Sequence, residues 1–324
     1  MVREVAIVIA IYRPNINWLK EELFSIKRQT YQNFEVVVWN DCPEDNFNYY
    51  GLFSKILEGI PVRVFSGDKN LGSNKVFEKL TELATTPYIA YCDQDDIWLP
   101  EKLETLLRLI KTKKVSLVCS DMYIINSESN IVANSITNVR PHHIIENFPD
   151  MFLHLLKQNF VAGCTVLMKR DVAQQAIPFA KYFYHDHWLA LWAALHGGIF
   201  AATKPLIKYR IYEGNQTSVL KGIFDQGAYR RERILKYNNK LEEVWERFKR
   251  EPNFTESICN AVSEKINWGI AREKYFMKPT ILNFIQLWKL RNVDLKITWF
   301  ELLLPLMPNC VFMGIIRKIQ KGKI

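Results

Sequence analysis

The sequence predicts an α/β fold in which helices cover both faces of a mostly parallel sheet. Strand-like and helix-like patterns alternate over the first 120 residues. The first pattern, Val5–Ile11, is an unbroken apolar run, which is typical of a strand buried on both faces. The second, Asn15–Gln29, has apolar residues at helical spacing, with Asn15 as its predicted N-cap. This order implies parallel strands joined by helical crossovers.

The same alternation continues to residue 119. Further strands are predicted at Phe34–Trp39, Val62–Phe65, Tyr88–Cys92 and Val115–Cys119, and further helices at Asn48–Leu57, Asn74–Ala84 and Glu101–Lys111. The chain contains no G-x-G-x-x-G and no G-x-x-x-x-G-K-[ST] motif. The standard dinucleotide and P-loop fingerprints are therefore absent.

Beyond residue 120 the alternation is less regular. The patterns predict a strand at Phe160–Met168, a helix at His187–Leu195, short strands at Ile199–Thr203 and Leu206–Tyr209, a long basic helix from Gln226 to Arg250, and a helix at Glu256–Phe276. We therefore expect an α/β domain at residues 1–218 and a basic, mostly helical appendage at residues 219–324.

The net charge of +9 is unevenly distributed along the 324 residues. Residues 1–219 contain 23 Lys and Arg against 23 Asp and Glu, whereas residues 220–324 contain 20 against 11. A basic C-terminal region of this kind indicates an anionic partner, either a membrane surface or a nucleic acid.

Cysteine usage and hydropathy indicate the compartment. The six cysteines are far apart and form no C-x-x-C, which is typical of core residues in a reducing compartment and argues against a zinc site. The N-terminus shows no signal-peptide pattern, and no stretch has about 18 uninterrupted apolar residues. We expect a cytoplasmic protein that lies on the inner face of a membrane.

Polar side chains follow three of the predicted strands. Ala10–Tyr12 follow the first, Asn40–Asp41 the second, and Asp93–Asp96 the fourth. Ligands of open α/β sheets bind where the carboxyl ends of parallel strands meet. Close carboxylates resist joint ionisation unless a cation offsets them, and carboxylates without thiolate or imidazole suit Mg²⁺ or Mn²⁺. As alternatives, Asp41 is a turn residue and Asp96 a helix cap.

Several blocks carry a resemblance to a known family. "AIVIAIYRPN", "SIKRQTYQNFEVVVWNDCPEDN", "NLGSNK" and "YIAYCDQDDIWLPEKLE" resemble the successive blocks of the family-2 glycosyltransferases with the GT-A fold. "DQDDIW", "HDHWLALWAALHGG" and "PLIKYRIYEGNQTS" resemble its bacterial rhamnosyltransferase-like branch, which builds cell-wall or O-antigen polysaccharide. The resemblance implies transfer with inversion from a nucleotide-diphospho-sugar to a growing, lipid-linked glycan. It favours dTDP-rhamnose as the donor, with a UDP-hexose as the alternative.

The resemblance also implies roles for individual residues. The nucleotide sugar would contact Ala10, Tyr12, Asp41, Asn70, Asp93, Arg210 and Asn215; Asp95, with Asp93, would bind Mn²⁺ or Mg²⁺; Asp186 would be the catalytic base. The family usually has a histidine two residues after the arginine of the Y-R…N block, and here that residue is Tyr212.

Three aromatic residues and one acid leave alternatives open. His187 and Trp98 are candidates for contact with the acceptor, but Trp98 is equally consistent with a core position, because aromatic side chains bury large areas. His185 and His187 flank Asp186 without sharing a helix face, which argues against a metal site. Asp186 itself also fits a helix cap.

Two other function classes remain open at this point. A nucleotidyltransferase acting on sugar phosphates would use the same acidic edge, but the loop after the first strand, "AIYRPNIN", lacks the glycines expected of its phosphate loop. A nucleic-acid-binding protein would use the basic cluster around Arg230, Arg231 and Arg233. The preferred interpretation involves a lipid-linked acceptor and an anionic membrane surface, and no nucleic acid.

Overall fold

A nine-stranded sheet organises the first of two compact units, Met1–Glu213, in the computed structural model, which describes residues 2–140, 143, 145–212 and 222–320. Its strands are β1 (Val5–Ile11), β2 (Phe34–Asn40), β3 (Val62–Ser66), β4 (Tyr88–Cys92), β5 (Ile97–Trp98), β6 (Leu117–Ile125), β7 (Ile131–Ala133), β8 (Leu167–Lys169) and β9 (Ile199–Arg210).

The strand order is β3-β2-β1-β4-β8-β6-β9-β5, and β7 pairs with β6. The half formed by β3, β2, β1 and β4 is parallel throughout, with Val5 opposite both Phe34 and Tyr88. β8 then runs antiparallel to both β4 and β6, while β9 runs parallel to β6. This arrangement confirms the predicted α/β class with a parallel sheet core.

Helices of this unit connect the strands. They are α1 (Ile16–Lys27), α2 (Tyr49–Ile56), α3 (Ser73–Leu83), α4 (Lys102–Lys113), α5 (Ile136–Val139), α6 (Met151–Lys157), α7 (Arg170–Gln175) and α8 (His185–Leu195). Asn15 caps α1 as predicted, because its side chain accepts hydrogen bonds from the backbone N–H groups of Asn17 and Trp18. The apolar stripe of α1, which includes Leu19 and Leu23, is buried.

Several predicted elements differ from the structure, including the strand predicted at Val115–Cys119, which is observed at Leu117–Ile125. The segment predicted as a strand at Phe160–Met168 contains a 3₁₀ turn at Gly163–Thr165, closed by the Thr165 hydroxyl donating to the Ala162 carbonyl, and only Leu167–Lys169 is strand. The two short strands predicted after residue 199 form the single strand β9. Pro205 lies where the register of β6 and β9 shifts, and a bulge tolerates a residue without an N–H.

The second compact unit, Gly214–Ile324, is helical in its described part. Its helices are α9 (Gln226–Tyr229), which continues through a π-helical turn at Arg230–Leu235 into α10 (Lys236–Phe248), then α11 (Glu256–Met277), α12 (Ile281–Lys289), α13 (Leu295–Leu303) and α14 (Asn309–Gln320).

Two apolar clusters form the core of this unit. One includes Tyr229 and Phe312, and the other includes Trp268 and Leu287. Among the residues that the structure describes, no helix is both long enough and apolar enough to cross a bilayer.

Candidate functional site

The carboxyl ends of β1, β2 and β4 meet at one edge of the sheet. The backbone N–H of Tyr12 donates to Oε1 of Gln94 at 2.8 Å, and Nε2 of Gln94 donates to the Tyr12 carbonyl at 3.2 Å. The backbone N–H of Asp41 donates to the Ile11 carbonyl at 2.9 Å. Ala10 is half-buried and Tyr12 is exposed beside this edge. The structure therefore brings together the three strand ends that the sequence singled out.

Asp41 organises the loop that leads into α3. Its buried carboxylate accepts hydrogen bonds from the backbone N–H groups of Leu71 at 2.7 Å and Gly72 at 2.9 Å, and Nδ2 of Asn70 donates to its carbonyl at 3.0 Å. Gly72 has a φ of 79°, a conformation that favours glycine. An ionised carboxylate has about four acceptor positions, so Asp41 retains capacity for a further donor.

The acidic loop, defined here as Asp93–Asp96, follows β4. Asp93 and Asp95 are half-buried, whereas Asp96 is fully buried. Desolvation raises the pKa of Asp93 to about 7, and the neighbouring carboxylates of Asp95 and Asp186 act in the same direction. Asp186, which is distant in sequence, therefore lies near Asp93, one of the two half-buried, outward acids of this loop.

Asp95 has a neutral partner at the position where the family usually has histidine. The phenol of Tyr212 donates to Oδ2 of Asp95 at 2.8 Å. Burial raises the pKa of Asp95, while this hydrogen bond and the charge of Arg210 lower it. The ring of Tyr212 also contacts the ring of Trp18, with centroids 4.9 Å apart. Asp95 is thus held on one side by a phenol rather than an imidazole.

Asp186 lies in the first turn of α8, where an acid complements the helix dipole. Its Oδ2 accepts from the backbone N–H of Gly163 at 3.3 Å, and its Oδ1 accepts from the backbone N–H of His187 at 2.5 Å. The N-cap of α8 is Tyr184, so Asp186 is not the cap residue. Two backbone donors therefore orient a half-buried carboxylate that also lies near Asp93.

The side chains of the two histidines beside Asp186 lie in different environments. The buried ring of His185 stacks on Phe77 with centroids 3.9 Å apart, and burial lowers the pKa of His185 to about 3. A Cβ atom at Gly163 would lie 2.6 Å from Nε2 of His185. The half-buried His187 contacts the Leu155 carbonyl through Nε2 at 2.8 Å. His185 is therefore a neutral core residue, and the pair forms no common site.

Trp98 agrees with the core alternative rather than with an acceptor contact. Its side chain is 2% exposed, and Nζ of Lys102 lies 3.2 Å from the centroid of its ring. An indole buried in this way cannot stack on a sugar of the acceptor.

Arg210 was predicted to lie beside the diphosphate, whereas the structure buries its side chain. Its side chain is 0% exposed, its Nε donates to the Asp95 carbonyl at 2.7 Å, and its Nη2 donates to Oε2 of Glu21 at 2.7 Å. Its backbone N–H donates to Oδ1 of Asp96 at 3.0 Å. Arg210 therefore supports the acidic loop from within. Asn215, predicted in the same block, lies outside the described residues.

A charged cluster beneath the acidic loop was not predicted. Nζ of the fully buried Lys102 donates to the Cys164 carbonyl at 2.5 Å, and Sγ of Cys92 donates to Oε1 of Glu22 at 3.2 Å. Burial raises the pKa of both Glu22 and Asp96 well above the ordinary range and lowers the pKa of Lys102 to about 8. One signal was available, because Glu22 shares the apolar stripe of α1.

The chemistry of the donor groups tests which residues suit a hard cation. Ligand atoms of Asp93, Asp96 and Cys164 all lie within 4.8 Å of one another. Mg²⁺ and Mn²⁺ prefer oxygen ligands, however, and Cys164 and Asp96 are buried beneath the loop. Asp93 and Asp95 are half-buried and offer carboxylate oxygens. The outward pair therefore fits such a cation better than the set that includes the thiol.

Known proteins similar to this chain include two from Escherichia coli, described as UDP-Glc:alpha-D-GlcNAc-diphosphoundecaprenol beta-1,3-glucosyltransferases. WfgD is 26% identical over 193 residues, covering 58% of this chain and 69% of WfgD. WfaP is 26% identical over 235 residues, covering 68% of this chain and 86% of WfaP. An uncharacterized glycosyltransferase of Methanocaldococcus jannaschii is 28% identical over 129 residues, covering 40% of this chain and 44% of that protein.

Solved structures and the family comparison agree. Residues 1–349 of S. aureus TarS, crystallised with UDP-GlcNAc, align with a TM-score of 0.61 and 13% identity over 99% of this chain and 92% of that one, which supports the GT-A fold. Residues 6–176, more than half of the chain, match glycosyl transferase family 2. With its strand-end acids and its GT-A fold, this chain belongs to the family-2 glycosyltransferases.

Proposed function

We propose that this glycosyltransferase moves a sugar, with inversion, from a nucleotide-diphospho-sugar to a hydroxyl of a lipid-linked glycan. The observation that carries the proposal is that Asp186, held by the backbone N–H of Gly163, lies near Asp93 of the acidic loop at the carboxyl edge of the sheet. The acidic loop follows β4, and Asp186 comes from α8. One group of acids can thus serve the leaving diphosphate, while a separate acid serves the acceptor.

Asp186 is the proposed general base. Hydrogen bonds from the backbone N–H groups of Gly163 and His187 occupy one acceptor position on each of its oxygens and orient them. The remaining lone pairs can accept the proton of the acceptor hydroxyl as the hydroxyl oxygen attacks the anomeric carbon. A single attack opposite the leaving group inverts the configuration at that carbon. His187, next along the helix, is the proposed acceptor contact.

Asp95, together with Asp93, would hold Mn²⁺ or Mg²⁺. When bound, such a cation offsets the negative charge that develops on the departing diphosphate. The chain contributes the position of the carboxylates: Arg210 holds the Asp95 carbonyl, and Tyr212 holds its Oδ2. Because the phenol is neutral, it leaves the negative charge of Asp95 available to the cation.

The donor that we propose is a UDP-hexose, with dTDP-rhamnose as the second candidate. UDP-glucose appears in the names of WfgD and WfaP, and the TarS crystals contain UDP-GlcNAc. We propose that Asp41 contacts the nucleobase of the donor. This contact does not distinguish the two donors, because uracil and thymine both present an N3–H. Ala10, Tyr12 and Asn70 complete the proposed nucleotide site at the same strand ends.

The proposed acceptor is carried on a polyprenyl diphosphate. The names of WfgD and WfaP specify a diphosphoundecaprenol acceptor. An enzyme that uses such an acceptor works at a membrane surface, and the excess of 20 Lys and Arg over 11 Asp and Glu in residues 220–324 suits anionic lipids. We therefore place the enzyme on the inner face of the cell membrane, as a contributor to cell-surface polysaccharide.

A nucleotide-sugar screen tests the proposal. Thermal stability is measured with UDP-glucose, UDP-galactose, UDP-GlcNAc and dTDP-rhamnose, each with and without Mn²⁺. The best donor is then incubated with a GlcNAc-diphospholipid, and the released nucleotide is identified. We expect a nucleoside diphosphate and an elongated lipid. Release of pyrophosphate from a nucleoside triphosphate and a sugar phosphate would instead show a nucleotidyltransferase, and stabilisation by nucleic acid alone would refute a transferase.

A further inference from the structure

One surface of the second unit is apolar and exposed. On α12, Ile281 and Leu282 are 81% and 65% exposed, and on α13, Trp299 and Leu303 are 54% and 56% exposed. Large aliphatic and indole groups are rarely left in water in such density unless a partner covers them. We call these residues, with Ile285 and Leu295, the α12–α13 face.

The α12–α13 face is continuous across the two helices. Leu282 and Ile285 are three positions apart on α12, while Leu295, Trp299 and Leu303 are spaced by four on α13, so each set forms one stripe. The rings of Trp288 and Trp299 pack with centroids 4.9 Å apart and join the stripes. Two short helices thus present one apolar surface.

The opposite sides of these helices already pack into the core of the unit. Leu287 of α12 and Leu302 of α13 belong to the same buried cluster as Trp268. Thr298 accepts a hydrogen bond from Nε1 of Trp268 at 2.9 Å. The packing of α12 and α13 in this unit is therefore satisfied without the α12–α13 face.

Cations surround this face. Lys289 lies seven residues after Leu282 on α12 and shares its stripe, Lys278 ends α11 just before α12, and Lys296 follows Leu295; all three are exposed. Residues 274–320 contain seven Lys and Arg and only two acids, Asp294 and Glu301.

Both acids are engaged within the protein. Oδ1 of Asp294 caps α13 by accepting from the backbone N–H of Ile297 at 3.0 Å. Glu301 is buried and paired with Arg272, whose Nε donates to Oε2 of Glu301 at 2.6 Å. The surface is therefore apolar at its centre and positive at its margin.

We propose that the α12–α13 face docks on an anionic lipid bilayer, with the apolar stripes in the interfacial layer and the lysines among the phosphates. Helices that are apolar on one side and flanked by lysines bind at the interface without spanning it. Each cation near an anionic leaflet strengthens binding by about fivefold. The proposal concerns the second unit alone and is independent of the transfer chemistry.

The first test replaces apolar residues. Flotation of the full chain is measured with phosphatidylcholine vesicles that contain or lack phosphatidylglycerol. The double variant Leu282→Glu, Trp299→Glu should lose at least tenfold in binding to the anionic vesicles. The control Val132→Glu, at an exposed valine of β7, should float like the unmodified chain. Circular dichroism and thermal unfolding verify that each variant is folded.

The second test replaces only charge. Lys278→Glu with Lys289→Glu should weaken flotation by at least about thirtyfold and reduce its salt sensitivity, while Lys55→Glu with Lys114→Glu, of equal net charge, should not. If the unmodified chain fails to float, or both variant pairs behave alike, the proposal is wrong. If size-exclusion chromatography shows a dimer, and the double variant Leu282→Glu, Trp299→Glu dissociates it, the α12–α13 face binds a second copy of the chain instead of a bilayer. Nucleotide binding without vesicles should be unchanged in every variant.

Discussion

The carboxylates of the acidic loop lie in two different environments. Asp93 and Asp95 face outward, half-buried, with Asp186 and the phenol of Tyr212 nearby. Asp96 faces inward, where it is fully buried and accepts from the backbone N–H of Arg210. The loop therefore gives chemically identical groups different exposure to water, although carboxylate oxygens of Asp93 and Asp96 lie within 4.8 Å of each other.

The difference lies in what balances their charge. On the inner side, the ammonium of Lys102 lies among Glu22, Asp96 and two cysteines, so the protein supplies its own cation. On the outer side, the side chain of Asp95 accepts a hydrogen bond from the neutral phenol of Tyr212. Outward acids are therefore expected to matter for the reaction, and inward groups for the fold.

The largest expected effect is that of Asp95→Asn on transfer. Loss of this charge should abolish turnover and the Mn²⁺-dependent part of nucleotide binding, while the melting temperature stays the same or rises because a like-charge repulsion is removed. Turnover is measured across a Mn²⁺ titration, with Asp45→Asn, beyond the end of β2, as the control. If the Asp95→Asn variant kept wild-type turnover at limiting Mn²⁺, the proposed role of Asp95 in metal binding would be wrong.

Asp186→Asn should rank next. We expect donor binding to persist and transfer to fall by about 10²–10⁴-fold, because an amide cannot accept the hydroxyl proton. Single-turnover rates with intact acceptor measure the effect. The control is Asp171→Asn, at the acid in the first turn of α7. Residual activity above one tenth would place the base elsewhere.

On the inner side, Lys102→Met should act on stability. Removing the ammonium leaves the buried Cys164 carbonyl without its donor, which should cost about 1–3 kcal/mol in the free energy of unfolding. Urea denaturation measures it, and Lys79→Met, at a lysine on the surface of α3, should change stability by about 0.5 kcal/mol or less. Equal effects of the two substitutions would show that the inner cluster needs no cation.

A smaller effect concerns pH. The pKa of Asp93 is raised to about 7, and those of Glu22 and Asp96 are raised as well, so the native state retains protons that the unfolded chain has released. The free energy of unfolding should therefore fall as pH rises from about 4 through 7. Chemical denaturation at several pH values measures how steeply the free energy of unfolding falls with pH. Asp93→Asn should make this fall less steep. A rising stability over that range would contradict the assignment.

The smallest expected effect is that of Tyr212. Tyr212→Phe removes one hydrogen bond to Asp95, so we expect the Mn²⁺ concentration for half-maximal activity to change only a few-fold. Tyr212→His should instead increase the dependence on metal, because imidazole is a good ligand. Loss of all activity in Tyr212→Phe would show that the phenol has a direct part in the reaction.

The outer and inner sides of the acidic loop differed in how well the sequence predicted them. The strands Val5–Ile11 and Tyr88–Cys92 were predicted to the residue, because strands buried on both faces are continuous apolar runs. The meeting of the carboxyl ends of β1, β2 and β4 followed from parallel topology, whereas the place of Asp186 at the site followed only from the family resemblance. The inner cluster was missed because a lysine such as Lys102 shows the pattern of a surface helix residue, and only tertiary packing buries it. Arg210 was misplaced for the same reason.

The close approach of Gly163 to α8 has a consequence for engineering this enzyme. Even the single methyl of alanine at residue 163 would press against the imidazole of His185, which is itself wedged against Phe77. The helix would have to yield, and Asp186 would move with it. Libraries aimed at new acceptors should therefore keep residue 163 constant and vary the exposed Tyr184, which adjoins the helix start without supporting the carboxylate.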